Sequence, residues 1–472
     1  MIVRIARKEM TEMFRDGRFR WAAAILLGLL SLATVTGVTN ARVIAQEHRA
    51  AQEEMRGFWT NQGAKNPHSA AHYGLWVFKP KMPLAFVDQG VDQYTGVTTL
   101  LEAHKQNEFT RRPAMDNAAV ARFGEWSAAA VLQLLVPLLI IMLAFPAVAG
   151  ERESGTLRQV AALGVSARSL LLGKALGTAG ALAVVLVPAT ILGVTTLAIG
   201  AGFGTRGDDL LRFAAMVAVY LTYFAVILAV SLAVSARVPS LRAALLVLLA
   251  FWTANSLIAP RAVTDAARRI YPTPSSFQFA ANVAADASKG LDGHNPEDIR
   301  RKAVEAKALA EYRAISLDAL PVNFDAIAMQ ASEEYGNQVY DKHFGALYDT
   351  YRSQNAMAQL GGLAAPLLAV RSLSMGLAGT DIEQHRDFAV KAEAYRRGLV
   401  KWSNDYFRDN TRTGEWDWKA PPELWAKYPP FHYEAPSLRA MIAPQLKAIV
   451  ALGAWLVLAM VALLWAPNLR VL

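Results

Sequence analysis

Residues 126–150 read WSAAAVLQLLVPLLIIMLAFPAVAG and contain no Asp, Glu, Lys or Arg. A helix of about 20 mainly apolar residues is long enough to cross the hydrocarbon core of a bilayer. Five further runs of this kind occur, at residues 21–41, 175–205, 213–236, 243–260 and 448–469. Because a globular core rarely holds so many such segments, the sequence predicts an all-α membrane protein with six transmembrane helices.

The composition lies between that of a soluble protein and that of a purely transmembrane one. The 472 residues are 54% hydrophobic, yet 18% of them are charged, so apolar spans must alternate with polar regions. The chain has no cysteine, which excludes a disulfide framework, a thiolate metal site and a thiol nucleophile. Its net charge of +9 fits either nucleic-acid binding or a membrane topology, and the position of the charges decides between them.

Basic residues concentrate in the short segments that six spans would place on one side of the membrane. These segments are residues 1–20, residues 151–174, the connection between the fourth and fifth spans, and the C-terminal tail. They contain Arg4, Arg7, Lys8, Arg15, Arg18, Arg20, Arg152, Arg158, Arg168, Lys174, Arg237, Arg242 and Arg470. Cytoplasmic loops carry an excess of Lys and Arg, so both termini are predicted to be cytoplasmic, and Arg206 on the other side is offset by Asp208 and Asp209. No basic patch is left for a nucleic-acid partner.

The first apolar run has a second interpretation, as a cleaved signal peptide. Its charged leader of residues 1–20 is long, and no clear small-residue cleavage site precedes a domain start. Both observations favour a retained span.

Two long segments, residues 42–125 and 261–447, are predicted to lie outside the cytoplasm as insertions between spans 1 and 2 and between spans 5 and 6. The second insertion is predicted to be mainly helical, with helices at residues 300–313, 325–351 and 382–407. Residues 414–436 combine aromatic residues with prolines and predict an irregular strap, packed either on helices or at the lipid interface. The Gly, Pro and aromatic content of the first insertion predicts loops with short extended pieces.

An apolar stretch at residues 355–370 is interrupted by Gly361, Gly362 and Pro366 and is too short to span. The two interpretations left open for it are a core element and a piece at the membrane surface.

The run at 126–150 is followed directly by Glu151, Arg152 and Glu153 and then by Gly155 and Thr156, which break the helix. Residues 157–163, starting with Leu157, are short and amphipathic. The pattern fits a small helix parallel to the membrane that contacts a cytosolic partner, and equally an ordinary charged loop at a membrane exit.

This Glu-Arg-Glu-x-Gly-Thr-Leu segment resembles the one that follows the second span in permease subunits of type-2 ABC exporters. Residues 1–20 also resemble the amphipathic connecting helix at the start of such permeases, and the sequences NPHSAAHYGLWVFKPKMPLAFVDQG, LPVNFDAIAMQASEEYGNQVYDKHFG and PLLAVRSLSMGLAGTD resemble a subgroup with a large extracytoplasmic domain of unknown function. The resemblance implies a dimer, formed with a second permease copy or a paralogue, in the bacterial cytoplasmic (inner) membrane. It assigns ATPase coupling to Glu151, Arg152, Glu153, Gly155, Thr156 and Leu157.

The chain has no ATPase machinery of its own. A P-loop needs Gly-x-x-x-x-Gly-Lys-Ser/Thr, and the Gly173-Lys174 pair is followed by Ala175 and preceded by Arg168 at the first glycine position. We therefore expect no enzyme activity and no cofactor in this chain, with ATP and Mg²⁺ held by a separate cytosolic ABC ATPase subunit. The alternative function is a membrane-anchored platform for extracytoplasmic binding or assembly, and a periplasmic partner is left open in either case.

Polar residues within the apolar runs are the candidates for a transport pathway. They are Gln133, Thr253, Asn255 and Ser256, and hydrogen bonds between helices are the alternative explanation. The runs contain no ionisable residue, which disfavours an ion-coupled secondary transporter.

All eight histidines lie outside the apolar runs. His68 and His72 are four residues apart, a spacing that on a helix brings two ring nitrogens to one metal ion. Two histidines are half a site, so the sequence alone predicts no metal centre and leaves this pair as the candidate.

Overall fold

The computed structural model describes residues 1–113, 127–199 and 207–465. Several sequence predictions fall outside these ranges. They are the predicted span edges at residues 126, 200–205 and 466–469, residues 114–125 of the first insertion, Arg206 and Arg470.

The six predicted spans are confirmed as helices that are long and apolar enough to cross a membrane. They are Gly17–Thr60, Ala128–Glu153, Ala167–Ala198, Asp208–Arg237, Leu241–Ile270 and Leu438–Leu464. Most extend beyond their uncharged runs, and the first continues without a break to Thr60 because residues 42–60 are rich in Ala, Gln, Glu and Arg, which favour helix.

The second and fourth spans form the centre of the bundle. In each of them 56% of an apolar stretch of 18 residues is buried inside the protein, whereas the share is 28% in each of the other four spans. The outer spans expose aliphatic side chains, including Val187, Ile191, Leu246 and Leu458. An apolar surface of this kind is what a hydrocarbon environment requires.

Two spans contain a turn of π-helix. Val131–Leu135 lies in the second span and Ala254–Ile258 in the fifth. A π-turn leaves backbone carbonyls free for other partners, and here the Gln133 and Leu134 carbonyls accept hydrogen bonds from the Tyr223 hydroxyl at 3.4 Å and from Trp252 Nε1 at 3.1 Å. The π-turn of the second span therefore joins that span to the fourth and fifth.

An N-terminal helix, Ile2–Arg15, packs across the beginning of the third span. The contact is made where the third span presents Gly173 and Gly177, a small-x-x-x-small pair that lets two helix backbones approach closely. A Cβ placed on Gly177 would lie 2.7 Å from the Glu9 Cβ and 2.8 Å from the Ala6 carbonyl oxygen. There is no room for a side chain there.

The two insertions fold together into one unit, called here the insertion domain. Its helices are Pro67–Tyr73, Asp92–Thr95, Ser276–Lys289, Glu297–Glu311, Phe324–Gly361, Pro366–Ala378 and Ile382–Asn410, with short 3-10 turns at Leu317–Ala319 and Pro422–Lys427. The helices predicted at 300–313, 325–351 and 382–407 correspond to three of these.

The all-α fold class needs one correction, in the first insertion, for which the sequence itself predicted short extended pieces. The first insertion contains a three-stranded antiparallel sheet, in which Leu75–Phe78 pairs with Thr98–Glu102, which in turn pairs with Lys105–Gln106. The sequences LWVF and TTLLE are rich in aromatic, β-branched and aliphatic residues that suit a half-buried sheet. Val77 and Leu101 are buried against Phe388 of the helix Ile382–Asn410. This packing stabilises the strands within an otherwise helical domain.

The aromatic strap at residues 414–436 packs on the Ile382–Asn410 helix, as one of its two predicted alternatives required. Tyr428 contacts the rings of Tyr395 and Trp402, and Tyr433 contacts Phe388 at a centroid distance of 5.0 Å. The strap also contacts the first insertion. Trp59 packs on Trp425, and Trp59 Nε1 donates a hydrogen bond to the Trp425 backbone carbonyl at 2.9 Å.

One helix of the insertion domain is buried among the spans. We call Pro366–Ala378 the cap helix because it packs on the fourth and sixth spans and contacts both π-turns. Leu367, Ala369 and Val370 are fully buried there. The apolar stretch at residues 355–370 thus divides into the end of the long helix Phe324–Gly361 and the start of the cap helix. The core interpretation holds for residues 365–370, which are buried, whereas Leu360 and Leu363 before them are 51% and 55% exposed.

The close helix contact at Gly177 generates a stability prediction. Replacing Gly177 with Val is expected to lower the free energy of unfolding by about 1–3 kcal/mol, because overpacking at a tight contact forces backbones apart. Thermal unfolding in detergent measures this, and faster trypsin cleavage at Arg15 and Arg18 reports release of the N-terminal helix.

The matched control is Gly453→Val in the sixth span, where an added Cβ meets no atom within 4 Å among the described residues. Equal destabilisation by both substitutions would show that loss of a glycine, rather than the helix contact, accounts for the effect.

Candidate functional site

The predicted pathway residues Gln133 and Asn255 are both buried and both belong to the π-turns. Gln133 Nε2 donates to the Tyr220 hydroxyl at 3.1 Å. Tyr220 lies 2.9 Å from Ser374 of the cap helix, and Ser374 donates to Asp88 Oδ2 at 2.5 Å. Since Asp88 accepts from Ser374, the Tyr220 hydroxyl is the donor to Ser374, and the chain of donors runs in one direction from Gln133 to Asp88.

Asn255 joins the fifth span to the same cap helix. Its Nδ2 donates to the Tyr223 hydroxyl at 3.0 Å, and its Oδ1 accepts from the Leu367 backbone N–H at 3.0 Å. Leu367 lies in the first turn of the cap helix, where backbone N–H groups have no intrahelical partner. Asn255 therefore caps that helix from a neighbouring span.

Two charged groups complete this polar cluster. Arg371 Nε donates to Gln133 Oε1 at 3.2 Å. Burial raises the pKa of Asp88, while Ser374, the Gly90 backbone N–H and the charge of Arg371 act in the opposite direction. Burial lowers the pKa of Arg371, and the nearby Asp88 carboxylate opposes that shift.

The four predicted pathway residues thus do not share one environment. Gln133 and Asn255 meet in the cluster, and the buried Ser256 accepts a hydrogen bond of 3.4 Å from Asn255. Thr253 is half-buried and has no hydrogen bond through its side chain within the described ranges. Gln133 and Asn255 make the hydrogen bonds between elements that were the alternative explanation for them, and their part in a transport pathway stays a prediction.

Sequence reasoning missed the partners of this cluster. Tyr220 and Tyr223 were hidden in an apolar run, and Asp88, Arg371 and Ser374 belong to the insertions. The sequence does indicate that partners exist, because Asn and Gln side chains in otherwise apolar spans need hydrogen-bond partners in a bilayer.

The other predicted site, residues 151–157, lies at the far end of the same spans. Glu151 Oε1 accepts from Lys174 Nζ at 2.8 Å, and Lys174 also donates to Glu9 Oε1 at 2.7 Å. The Lys174 side chain is 2% exposed. Glu151 therefore links the second span to the third span and to the N-terminal helix.

Arg152 and Glu153 bond the ends of two further spans. The Arg152 guanidinium donates to the Ala236 and Val238 carbonyls, at the end of the fourth span. Glu153 Oε1 accepts from the Leu241 N–H at 2.8 Å, at the beginning of the fifth. Carbonyls at a helix C-terminus and N–H groups at a helix N-terminus lack intrahelical partners, and the triplet supplies them.

After the triplet the chain turns into a short exposed helix. Gly155 adopts φ +76°, a left-handed conformation that favours glycine, and Thr156–Ala162 follows as a helix. Leu157 is buried and anchors this helix, whereas Leu163 at its end is 79% exposed. Ser154 and Thr156 hydroxyls lie 2.8 Å apart and close the turn.

Comparison with known families agrees with this architecture. The model of the ABC-2 family transporter protein matches residues 3–275, more than half of the chain. The chain belongs to the ABC-2 transporter family. A domain of unknown function (DUF3526) matches residues 276–434, and a search of curated proteins finds no match.

Family membership makes this ABC-2 protein a multi-pass transmembrane component of an ABC transporter and implies an ABC ATPase as its partner. It also confirms the resemblance to a permease that carries an additional domain of unknown function. The polar cluster joins parts of the ABC-2 match, including Gln133 and Asn255, to a cap helix that lies in the DUF3526 match.

The histidine pair His68 and His72 of this ABC-2 protein lies in the insertion domain, on the helix Pro67–Tyr73. A third histidine, His104, comes from the turn between the second and third strands. One nitrogen from each ring lies within 4.8 Å of the others. Burial and the neighbouring His104 and His72 rings lower the pKa of His68 to about 4.

The Asn255 contacts generate a prediction for this ABC-2 protein. Replacing Asn255 with Leu, of similar size, is expected to lower the free energy of unfolding by about 1–3 kcal/mol, because the buried Leu367 N–H loses its acceptor and the Tyr223 hydroxyl loses its donor. Thermal unfolding in detergent, followed by tryptophan fluorescence, measures the effect.

Thr253→Val, two residues away on the same span, is the control and is expected to change stability by less than about 0.5 kcal/mol. A change of the same size in both variants would argue against Asn255 as the residue that holds the cap helix.

Proposed function

We propose that the chain is the permease subunit of an ATP-driven ABC exporter and that a separate cytosolic ATPase binds the exposed helix Thr156–Ala162 with Leu163. The proposal rests chiefly on one arrangement. The helix offers an exposed surface, while the triplet directly before it is bonded to the third, fourth and fifth spans and, through Lys174, to the N-terminal helix.

This arrangement is suited to transmitting a displacement. A push on the short helix acts through Glu151 on the N-terminal helix and the third span. It acts through Arg152 on the end of the fourth span and through Glu153 on the beginning of the fifth. Because Lys174 is buried, its ion pairs are less screened by water and salt than surface pairs are.

Orientation follows from charge. The N-terminal helix, the segment after the second span and the connection between the fourth and fifth spans are basic and meet at one end of the bundle. The positive-inside rule then puts this end and both termini in the bacterial cytoplasm and the insertion domain on the periplasmic or extracellular side. ATP and Mg²⁺ belong to the partner, since the chain has no P-loop. By resemblance to type-2 exporters, the working unit is a dimer with a second copy or a paralogue.

Leu163→Asp tests the partner surface. We expect at least about a tenfold loss of affinity for the co-expressed ATPase, because a carboxylate replaces an apolar contact that is desolvated on binding. Co-purification and the rate of ATP hydrolysis by the complex measure this. Ile315→Asp is the control, an aliphatic residue in the insertion domain that is even more exposed (96%).

Glu151→Ala separates binding from transmission. This variant is expected to retain the ATPase but to lose the effect of the permease on ATP hydrolysis, since the link to Lys174 is broken. If wild type neither binds an ATPase nor alters its activity, the exporter proposal fails and the membrane-anchored platform becomes the better account.

A further inference from the structure

Three imidazole rings converge in the insertion domain. His68 Nε2 lies 3.1 Å from His72 Nε2 and 3.4 Å from His104 Nε2. The ring centroids of the three histidines are 4.6, 4.8 and 5.1 Å apart. The Nε2 atoms of all three histidines therefore face one another.

These separations match those around a tetrahedral metal ion. With Zn–N bonds of about 2.0–2.1 Å, tetrahedral geometry puts neighbouring ligand nitrogens about 3.3 Å apart. The observed 3.1 and 3.4 Å bracket that value. The third separation, between His72 and His104, lies within 4.8 Å, so an ion draws these two rings together.

Hydrogen bonds among neutral rings do not explain the convergence equally well. A neutral imidazole carries a proton on one nitrogen only. His104 uses Nδ1 toward the Glu333 carboxylate, at 2.6 Å, which leaves its Nε2 as a lone pair. His68 Nε2 has the Nε2 atoms of both His72 and His104 within 3.4 Å. A single proton on His68 Nε2 can form a good hydrogen bond to only one of these two nitrogens. A cation attracts all three lone pairs at once.

The position of His68 and His72 is fixed by capping. The Asn66 side chain accepts hydrogen bonds from the His68 and Ser69 N–H groups, at 2.8 and 3.4 Å, and Pro67 occupies the first helical position. One turn of helix then puts His72 on the face of His68.

The turn that carries His104 is bonded to this helix. The Ala103 N–H donates to the Ala71 carbonyl at 3.0 Å, so the residues next to His72 and His104 are joined through the backbone. His104 itself has φ +65°, an uncommon conformation for a residue with a side chain. Such conformations persist where surrounding contacts hold them, often at functional sites.

Glu333 supplies those contacts. One of its oxygens, Oε1, accepts both the His104 backbone N–H and His104 Nδ1, each at 2.6 Å. The Glu333 side chain is 3% exposed, and its other oxygen lies 3.4 Å from the buried Arg396 guanidinium. A carboxylate that holds the second nitrogen of a histidine is the usual outer contact of a metal-bound imidazole, because it fixes the tautomer and the ring orientation.

His68 has a comparable outer neighbour. Its Nδ1 and the Asn404 side-chain oxygen are both buried, and both lack a hydrogen bond of normal geometry among the described residues. The Asn404 side chain lies close enough to the His68 ring to interact with it. With the His68 proton directed to Asn404, the Nε2 lone pair faces His72 and His104.

We propose that His68, His72 and His104 bind one Zn²⁺ ion through their Nε2 atoms and that Glu333 is the positioning residue for His104. Imidazole suits Zn²⁺, whereas Mg²⁺ and Ca²⁺ require oxygen ligands. Three protein ligands leave the fourth tetrahedral position to water or to an exchangeable ligand. His72 and His104 are exposed, so this position is open to solvent.

The ion would link parts of the chain that are far apart in sequence. It joins the first insertion, which carries the three histidines, to the long helix Phe324–Gly361 through Glu333. This site is independent of the exporter proposal, because it lies entirely in the insertion domain and does not involve the ATPase-facing segment.

The test uses the full-length chain in detergent, purified with a tag that contains no histidine. After EDTA treatment, loading with Zn²⁺ and desalting, elemental analysis is expected to find one Zn²⁺ per wild-type chain. His72→Ala and His104→Ala are expected to lose it, and His432→Ala, which removes an exposed histidine elsewhere in the domain, is expected to keep it. Glu333→Gln should weaken Zn²⁺ affinity by about 10–100-fold.

Cobalt gives a readout of coordination rather than of folding. Co²⁺-loaded wild type is expected to show the visible absorption of a tetrahedral site, and His104→Ala to lose it while its far-UV circular dichroism stays that of wild type. Should His104→Ala not fold, the exposed His72→Ala variant carries the same test. Wild type that binds no more Zn²⁺ than His72→Ala, or Zn²⁺ bound equally by all variants, overturns the proposal.

Discussion

The burial of the cap helix against the spans is the constraint on which the rest of the structure depends. Polar side chains within a bilayer must find partners inside the protein, because hydrocarbon offers none. Gln133, Tyr220 and Asn255 find theirs in or through the cap helix. The span bundle is therefore completed by a helix that belongs, in sequence, to the second insertion.

The cap helix also joins the spans to the rest of the insertion domain. Ser374 donates to Asp88 of the first insertion, and Ser372 donates to Gln445 Oε1 at 2.6 Å, at the beginning of the sixth span. Breaking one partner of such a buried network costs more than the bond itself gains, since the remaining group is left without water. The two insertions and the central spans thus act as one packed unit at this end.

At the opposite end the spans are held by charge. Lys174 bridges Glu9 and Glu151, and removal of one partner from a buried ion pair typically costs about 3–5 kcal/mol. The fourth and fifth spans are bonded at both ends, by Arg152 and Glu153 at one and by Tyr220 and Asn255 at the other. In the exporter proposal, these two spans form the path from the ATPase surface to the insertion domain.

The sequence was most informative where one property repeats locally. Uncharged runs predicted all six spans, apolar periodicity located the helix Phe324–Gly361, and an Ala-, Lys- and Glu-rich composition located the helix Glu297–Glu311. Such signals are visible in the sequence because they depend only on neighbours in the chain. The membrane topology of the insertion domain stays a prediction from charge.

What the sequence did not predict depends on contacts between distant residues. The cap helix is apolar but short, so its burial among spans follows from Asn255 and Gln133 and not from its own composition. His104 is 36 residues from His68 along the chain and enters the cluster through a strand pairing that the all-α prediction omitted. The Lys174 partners Glu9 and Glu151 likewise meet only after the N-terminal helix packs on Gly173 and Gly177.

Because the chain has no cysteine, single introduced thiols test the burial of the cap helix directly in native membranes. Ser374→Cys replaces a residue that is fully buried in the polar cluster, and Ile315→Cys replaces one that is 96% exposed in the same domain. The measurement is the rate of labelling by a small, water-soluble maleimide. We predict rapid labelling at position 315 and labelling at position 374 only after denaturation; comparable rates at both positions would contradict the account.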